Sequence, residues 1–247
     1  MKSLLKMTWM EVKLFLREPV GAFFTLAFPL MMLFLFGSIY GNTPTPMFGG
    51  YGTIDISVPA YTAMIIATSG LMSITITMAA YRENGVLRRL RTTPISPLII
   101  LAAQVIVVFA MTSLGMVLLI VAGKLVYHVR FDGSACSVLG GFVLASLSFF
   151  SLGFILAGLM PNARTAQIVG MVMLYPMLFL SGAGFPSELL PEAIKKISTF
   201  LPLTYVVNLL RGLWIGEAWG KHLLDVGVLA GMLVLGIVIS AKTFRWE

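Results

Sequence analysis

Charge is scarce in this chain and unevenly spread. No charged residue falls between Glu18 and Asp55, none between Asp55 and Arg82, and only 11% of the 247 residues are charged, against about a quarter in ordinary soluble domains. Cysteine occurs once, at Cys136. That excludes an internal disulfide and a cysteine-based metal cage, and leaves a small apolar residue on a helix as the plain reading. The two histidines, His128 and His222, stand without a second ligand or a His-Glu-x-x-His spacing, so both read as interfacial residues and not as metal ligands. No paired aspartates sit in apolar segments for intramembrane proteolysis. A nucleotide site is also missing: Gly216-Glu217-Ala218-Trp219-Gly220-Lys221-His222 ends like a phosphate loop, but the glycine spacing is wrong and His222 stands where Ser or Thr is needed. No short apolar region with a small-residue cleavage site follows the first eighteen residues, which Lys2, Lys6, Glu11, Lys13, Arg17 and Glu18 interrupt. The expectation is that the first apolar segment stays in place as an anchor.

What fills the chain instead is apolar surface: 58% of residues are hydrophobic and the mean hydropathy is +0.96. At roughly 20 apolar residues per roughly 30 Å of hydrocarbon, the length accommodates about six spans with modest loops. The fold class expected is therefore an all-α polytopic membrane protein. The charge-free windows place spans at about 20–40, 59–80, 98–123, 137–160, 165–182 and 222–241. Pro44, Pro46, Gly49, Gly50 and Gly52 mark the first loop. Pro94 and Pro97 punctuate the entry to the third span, since proline is tolerated in a first helical turn. The last span is the shortest, because only Val226–Ala241 is uncharged. Leu223, Leu224 and snorkelling of Lys221 and Lys242 would lengthen it. The centres of all six spans lack Asp, Glu, Lys, Arg and His. Carriers driven by proton or sodium gradients usually need such groups inside the membrane, so the energy for any uphill transport is expected to come from another chain.

Lysine and arginine set the orientation. With the N-terminus inside, eleven of them (Lys2, Lys6, Lys13, Arg17, Arg82, Arg88, Arg89, Arg91, Arg164, Lys242 and Arg245) lie on the inner side, against six outside. Acids balance the outer side to zero, so the whole formal charge of +7 lies inside, where anionic lipid favours it. Both termini are expected in the cytoplasm.

Three segments are neither span nor simple loop. Residues 3–17 mix apolar positions with Lys6, Glu11, Lys13 and Arg17, and Trp9 suits the headgroup level, which reads as an amphipathic interfacial helix or else a solvated tail. In the inner loop Arg82–Thr92, helical spacing groups Val86, Leu87 and Leu90 on one face and Arg88 and Arg91 on another. This reads as a short helix lying across the ends of the spans, or as arginines that only hold the loop inside. A nucleic-acid patch would need a larger basic surface with stacking aromatics. The segment 183–220 is long and mostly apolar, with Phe185-Pro186, Pro191 and Pro202 dividing it and Glu192 spaced to pair with Lys196. It reads as two short helices dipping into the outer leaflet, with their ends buried against protein. Gly37-x-x-x-Gly41 and Gly227-x-x-x-Gly231 permit close helix contact, but 24 glycines make such spacings common.

Several stretches together resemble the ABC-2 type transporter permease family, in particular its bacterial multidrug and daunorubicin-type branch, over nearly the whole chain. Arg17-Glu18-Pro19 looks like the entry to the first span. Tyr81 to Ser96 is similar to an acidic-Gly-x-Leu-basic-x-Leu-basic-x-Thr-Pro pattern, with Asn84 departing from the commoner charged residue. Leu180-Ser181-Gly182-Ala183-Gly184-Phe185-Pro186, Leu201-Pro202-Leu203-Thr204-Tyr205 and Arg211-Gly212 look like the outer re-entrant hairpin. The resemblance implies a bacterial inner-membrane export subunit, not itself an enzyme. It implies an N-terminal connecting helix over 1–18, with Arg17 and Glu18, and a coupling helix over 82–92. It also implies docking of Arg82, Glu83, Val86, Leu87, Arg88, Arg89, Leu90 and Arg91 on a cytoplasmic ATPase. ATP and Mg would then sit on two partner ATPase subunits, with no cofactor here, and a second permease copy would complete the path. The hairpin residues would be Gly182, Phe185, Pro186, Pro202, Tyr205 and Arg211. Hydrophobic drugs or lipids fit an apolar path. Export of a polysaccharide or lipid-linked glycan, and a non-transporting membrane sensor or assembly factor, are the rival readings.

Overall fold

The computed structural model describes residues 7–13, 19–86, 97–184, 186 and 191–243. Arg17, Glu18, Leu87, Arg88, Arg89, Leu90, Arg91 and Phe185 lie outside the described residues. Among the described residues six helices are long and apolar enough to cross a membrane: span 1 Phe23–Tyr40, span 2 Thr53–Glu83, span 3 Ile99–Tyr127, span 4 Ala135–Leu159, span 5 Ala163–Leu180 and span 6 Trp219–Lys242. Between spans 5 and 6 lie two shorter helices, Glu192–Ser198 and Pro202–Trp214. The described residues contain no strand.

Spans 2 and 3 run past their charge-free windows, for reasons visible at their ends. Span 2 begins at Thr53, not near Pro59, because Asp55 caps its own helix: the Gly52 N–H donates to Asp55 Oδ2 at 2.8 Å. That satisfies one of the four donors a helix N-terminus leaves open. Pro59 then lies inside the helix and withdraws the N–H that would have bonded the Asp55 carbonyl. Span 3 carries Lys124 in its last turn and runs to Tyr127, where His128 adopts a left-handed conformation with φ 51° and ends it. The pairing on the first short helix also differs from expectation by one residue: Glu192 accepts from Lys195 Nζ at 2.9 Å.

Span 2 is the centre of the bundle. In its most apolar 18-residue window 83% of residues are buried, against 17% to 50% in the other five spans. Its sequence is the reason. Lipid tails attract Leu as well as another helix does, so helices associate in a bilayer through close packing and hydrogen bonds, which small and hydroxylated residues supply. Span 2 is rich in these. Its Ser57, Thr62 and Thr68 hydroxyls donate to carbonyls one turn back at 2.7 to 2.9 Å, so they are buried without loss of partners.

The tightest contact sits at the π-helical turn Ser69–Ile74. A π turn carries an extra residue and often marks a functional position. A Cβ on Gly70 would lie 2.5 Å from the Phe149 carbonyl oxygen of span 4, one on Gly153 would overlap the Gly70 carbonyl oxygen, and one on Gly170 of span 5 would lie 2.7 Å from the Leu71 oxygen. Three backbones therefore meet with no side chain between them. The Thr75 hydroxyl spans the junction, within 3.3 Å of the Gly70 carbonyl and 3.2 Å of the Gly153 carbonyl. On the other flank the Thr112 hydroxyl of span 3 donates to the Val108 carbonyl at 2.7 Å and shares a 2.8 Å hydrogen bond with Ser69. Span 6 closes on span 4 through Ser148, whose hydroxyl reaches the Leu229 carbonyl at 2.8 Å.

This packing separates the glycines by consequence. Gly153→Leu is expected to destabilise the purified protein by about 2 kcal/mol or more, as overpacking against an unyielding backbone does. Gly227→Leu and Gly231→Leu, whose surroundings are open within 4 Å, should leave its thermal unfolding unchanged. Thermal unfolding of the three variants in one detergent, with size-exclusion profiles, measures the difference.

Candidate functional site

The chain between spans 2 and 3 leaves the bundle at Arg82, and the last residues of span 2 are tied to three other elements there. Span 2 ends at Glu83, with Asn84 as its C-cap, and Gly85 turns the chain at φ 64°. Arg82 Nη1 donates to the Gly158 carbonyl at 3.0 Å, which lies in the last turn of span 4. Glu83 Oε2 accepts the Ala163 N–H at 2.9 Å, in the first turn of span 5. The corner 160–162 between those spans thus has a cation on its carbonyl end and an anion on its amide end. Both signs complement the helix dipoles and both fill groups that helix termini leave open. Asn162 adds a cap of its own, accepting from the Thr165 N–H at 2.8 Å.

The third tie was not legible in the sequence. The Tyr81 hydroxyl donates to Glu11 Oε1 at 2.7 Å, fastening the helical residues 7–13 to span 2. Glu11 is 3% exposed and Met7 9%, while Trp9 is 62% exposed. The inward face of this segment therefore includes a carboxylate, where apolar patterning alone places that residue outside. Of the proposed docking residues, Arg82, Glu83 and Val86 are described. The first two point back into their own chain.

At the opposite end of the bundle the hairpin residues divide into two groups. Gly182, at φ 86°, and Pro186 and Arg211 line one small cavity of about 10 Å³ together with Ile56, Ser57, Ala60 and Tyr61 from the start of span 2. Pro202 and Tyr205 stand at the far end of the helix Pro202–Trp214. Pro202 opens that helix, and Tyr205 donates to the Thr199 carbonyl at 2.6 Å. One face of this helix, including Leu203, Val206, Leu210 and Leu213, is fully buried against the bundle.

Two polar clusters at this end were also missed by sequence reasoning. Asp55, 1% exposed, accepts from Asn42 Nδ2 at 2.8 Å and from the Gly52 and Arg130 amides at 2.8 and 2.9 Å. Its burial is compensated by three donors from two loops, so it works as a staple for this end of the bundle. Nearby, the Tyr51 hydroxyl donates to Asp132 at 3.0 Å, which pushes the phenol above its ordinary value. The signal was available: Asp55 is the one acid in a long uncharged stretch.

The second cluster is Glu217, His222 and Asp225. His222 Nδ1 lies 2.9 Å from Asp225 Oδ2 and His222 Nε2 lies 3.0 Å from Glu217 Oε2, while Lys221 Nζ donates to Glu217 Oε1 at 3.1 Å. Gly212 makes room for the ring, since a Cβ there would overlap His222 Nε2. The cluster pins the helix Pro202–Trp214 to the entry of span 6. The hydrogen bond from Lys221 holds the Glu217 carboxyl below its ordinary value; burial opposes it, and His222 adds a smaller lowering effect. Among the described residues no group of His, Cys, Asp and Glu is arranged to hold a metal ion.

The chain is similar to known membrane transport proteins. The family model for the ABC-2 type transporter matches residues 2–214. Nodulation protein J of Neorhizobium galegae is 28% identical over 233 residues, covering 92% of this chain and 86% of that protein. Nodulation protein J of Rhizobium leguminosarum bv. viciae is 34% identical over 102 residues, which span 41% of this chain and only 39% of the relative. The inner membrane transport permease YhhJ of Escherichia coli K12 is 25% identical over 194 residues, 72% of this chain and 50% of the permease.

The Glu217 cluster has a pH signature. A carboxyl held below its ordinary value of 4.5 stabilises the folded state above the unfolded value, and that contribution is lost as the pH falls through the folded value. Glu217→Gln should therefore unfold at a lower temperature than the wild type at pH 7. The gap should close as the pH drops below the ordinary carboxylate range, read by thermal unfolding in detergent across a pH series.

Proposed function

The chain belongs to the ABC-2 type transporter family, and from that premise we propose that it is the membrane-spanning subunit of an ATP-driven exporter in the bacterial inner membrane. Its cargo is a hydrophobic drug-like molecule or lipid. Two copies of the chain, or this chain and a homologous permease, form the path, and two ATPase subunits carrying ATP and Mg supply the energy. The termini and the loop 82–92 face the cytoplasm, following the excess of lysine and arginine on that side. Supporting the assignment are the family match, the transport permease among the relatives and an apolar bundle without charge at mid-membrane.

The observation that carries the coupling step is the pair of caps made by Arg82 and Glu83. A partner that closes on ATP binding pushes the loop 82–92 through Val86, Leu87, Leu90 and the arginines Arg88, Arg89 and Arg91. The push reaches Glu83 and Arg82 at once. Because these two side chains hold the ends of spans 5 and 4, the load is shared by spans 2, 4 and 5 and does not bend span 2 alone. Tyr81 and Glu11 extend the same connection to the N-terminal helix, which together with Arg17 and Glu18 forms the rest of the docking surface. Higher up, the backbone contacts around Gly70 prevent the three spans from sliding apart. The hairpin residues Gly182, Phe185, Pro186, Pro202, Tyr205 and Arg211 form the outer gate, opened when span 2 tilts beneath the cavity they share with Ile56 and Tyr61.

Two variants separate docking from transmission. Reversing Arg88 and Arg89 to Glu should weaken capture of the cognate ATPase by at least about tenfold, as like-charge contacts at an interface do. Glu83→Gln should leave capture intact but lower transport per ATP hydrolysed, since it removes an anionic cap of about 1 kcal/mol. Co-purification, ATP turnover and flux of a fluorescent hydrophobic amine into proteoliposomes measure all three. Normal capture and flux in both variants would remove the coupling role of this loop.

A further inference from the structure

Between spans 3 and 4, at the end of the bundle that carries the hairpin, a cavity of about 310 Å³ opens sideways toward the membrane. Its floor is apolar and deeply buried: Phe142 is 1% exposed, Val138 4% and Met116 7%. Its rims, Val117 and Leu139, are about half exposed. The one polar side chain in the floor, Ser113, is already satisfied by the Phe109 carbonyl at 2.8 Å, so nothing there asks for a polar guest. At the aqueous end the walls are Phe131 and Trp214, whose rings meet edge to face at 4.7 Å. The indole N–H of Trp214 is taken by the Arg130 carbonyl at 2.9 Å, which fixes the ring as a wall.

The same end of the cavity is lined by Lys124. Its ammonium is exposed and makes no hydrogen bond or ion pair among the described residues. An apolar trough with a lone cation at its aqueous mouth is complementary to one kind of bilayer component. We propose that this groove is a binding site for an anionic glycerophospholipid, with the headgroup phosphate on Lys124 and one acyl chain laid over Met116, Val138 and Phe142. A second and larger cavity, about 530 Å³ between spans 3, 4 and 6, opens toward the Arg82 end. It is lined by Leu101, Phe150, Phe154 and Ile237 and by no charged side chain. That trough accepts a tail and has no means of selecting a headgroup, which is why the assignment rests on Lys124. The site is separate from the transported cargo and stands whether or not the exporter reading does.

Trp214 reports on the groove directly. In a variant with Trp9, Trp219 and Trp246 replaced by Phe, the remaining indole should be quenched by brominated phosphatidylglycerol at about one fifth of the membrane fraction needed for brominated phosphatidylcholine, the preference one lysine confers at a membrane surface. Lys124→Gln should abolish that preference and leave both lipids equally weak. The wild-type protein, extracted in mild detergent and examined by native mass spectrometry, should retain more phosphatidylglycerol than Lys124→Gln does. Equal quenching by the two lipids before the substitution would overturn the proposal, leaving a neutral tail as the occupant. So would absence of quenching by either, the result expected if a second copy of the chain covers the groove.

Discussion

Three backbones meet without side chains between them at the level of Gly70, and the arrangement of the bundle depends on that contact. Spans 4 and 5 lie against the Ser69–Ile74 turn because Gly153 and Gly170 present no Cβ to its carbonyls. In a bilayer this is how attraction between helices is obtained, since apolar side chains lose nothing by facing lipid. The hydroxyls of Thr75, Thr112 and Ser148 then lock the neighbours at fixed depth. A span of modest hydropathy, rich in Ser, Thr and Gly, thereby becomes the most buried element of the fold. The π turn places the extra residue where the helices cross, and a helix with a π turn at its crossing point has a natural place to bend.

From that junction span 2 runs to two ends that are held in different ways. At one end Asp55 gathers Asn42, Gly52 and Arg130 into a buried staple, and the Glu217–His222–Asp225 cluster pins the helix Pro202–Trp214 to span 6. At the other end Arg82 and Glu83 cap the corner between spans 4 and 5, and Tyr81 holds the N-terminal helix. A displacement applied at the second end therefore moves a group of helices, and the middle junction carries it toward the first. Coupling by a rigid group of this kind needs no charge in the transport path, which accords with six spans whose centres are uncharged.

Much of this was legible in the sequence, and what was not has physical causes. Six uncharged windows bounded by clusters of charge predict six spans, and the Gly-x-Leu-basic pattern after Tyr81 singles out the segment that follows span 2. Span ends were less legible because a charge count treats every charged residue as a loop residue. Asp55 is instead a buried cap, and Lys124 sits in the last turn of a helix that continues to Tyr127. Partners distant in sequence were out of reach. Nothing local tells that Glu11 meets Tyr81 across 70 residues, or that Gly70 and Gly153, among 24 glycines, are the pair in contact. His222 read as an interfacial residue because its two carboxylates flank it at unequal spacing, five residues before and three after.

The central claim is that the Arg82 end of span 2 and the corner of spans 4 and 5 move as one body. Spin labels at Val86 and Met160, in the complex with its ATPase, test it most directly by pulsed dipolar spectroscopy in the nucleotide-free and ATP-trapped states. The account predicts an unchanged distance between the two labels within this chain in both states. A shift of the Val86 to Met160 distance between the two states would contradict it, because the caps made by Arg82 and Glu83 would then be breaking in each cycle.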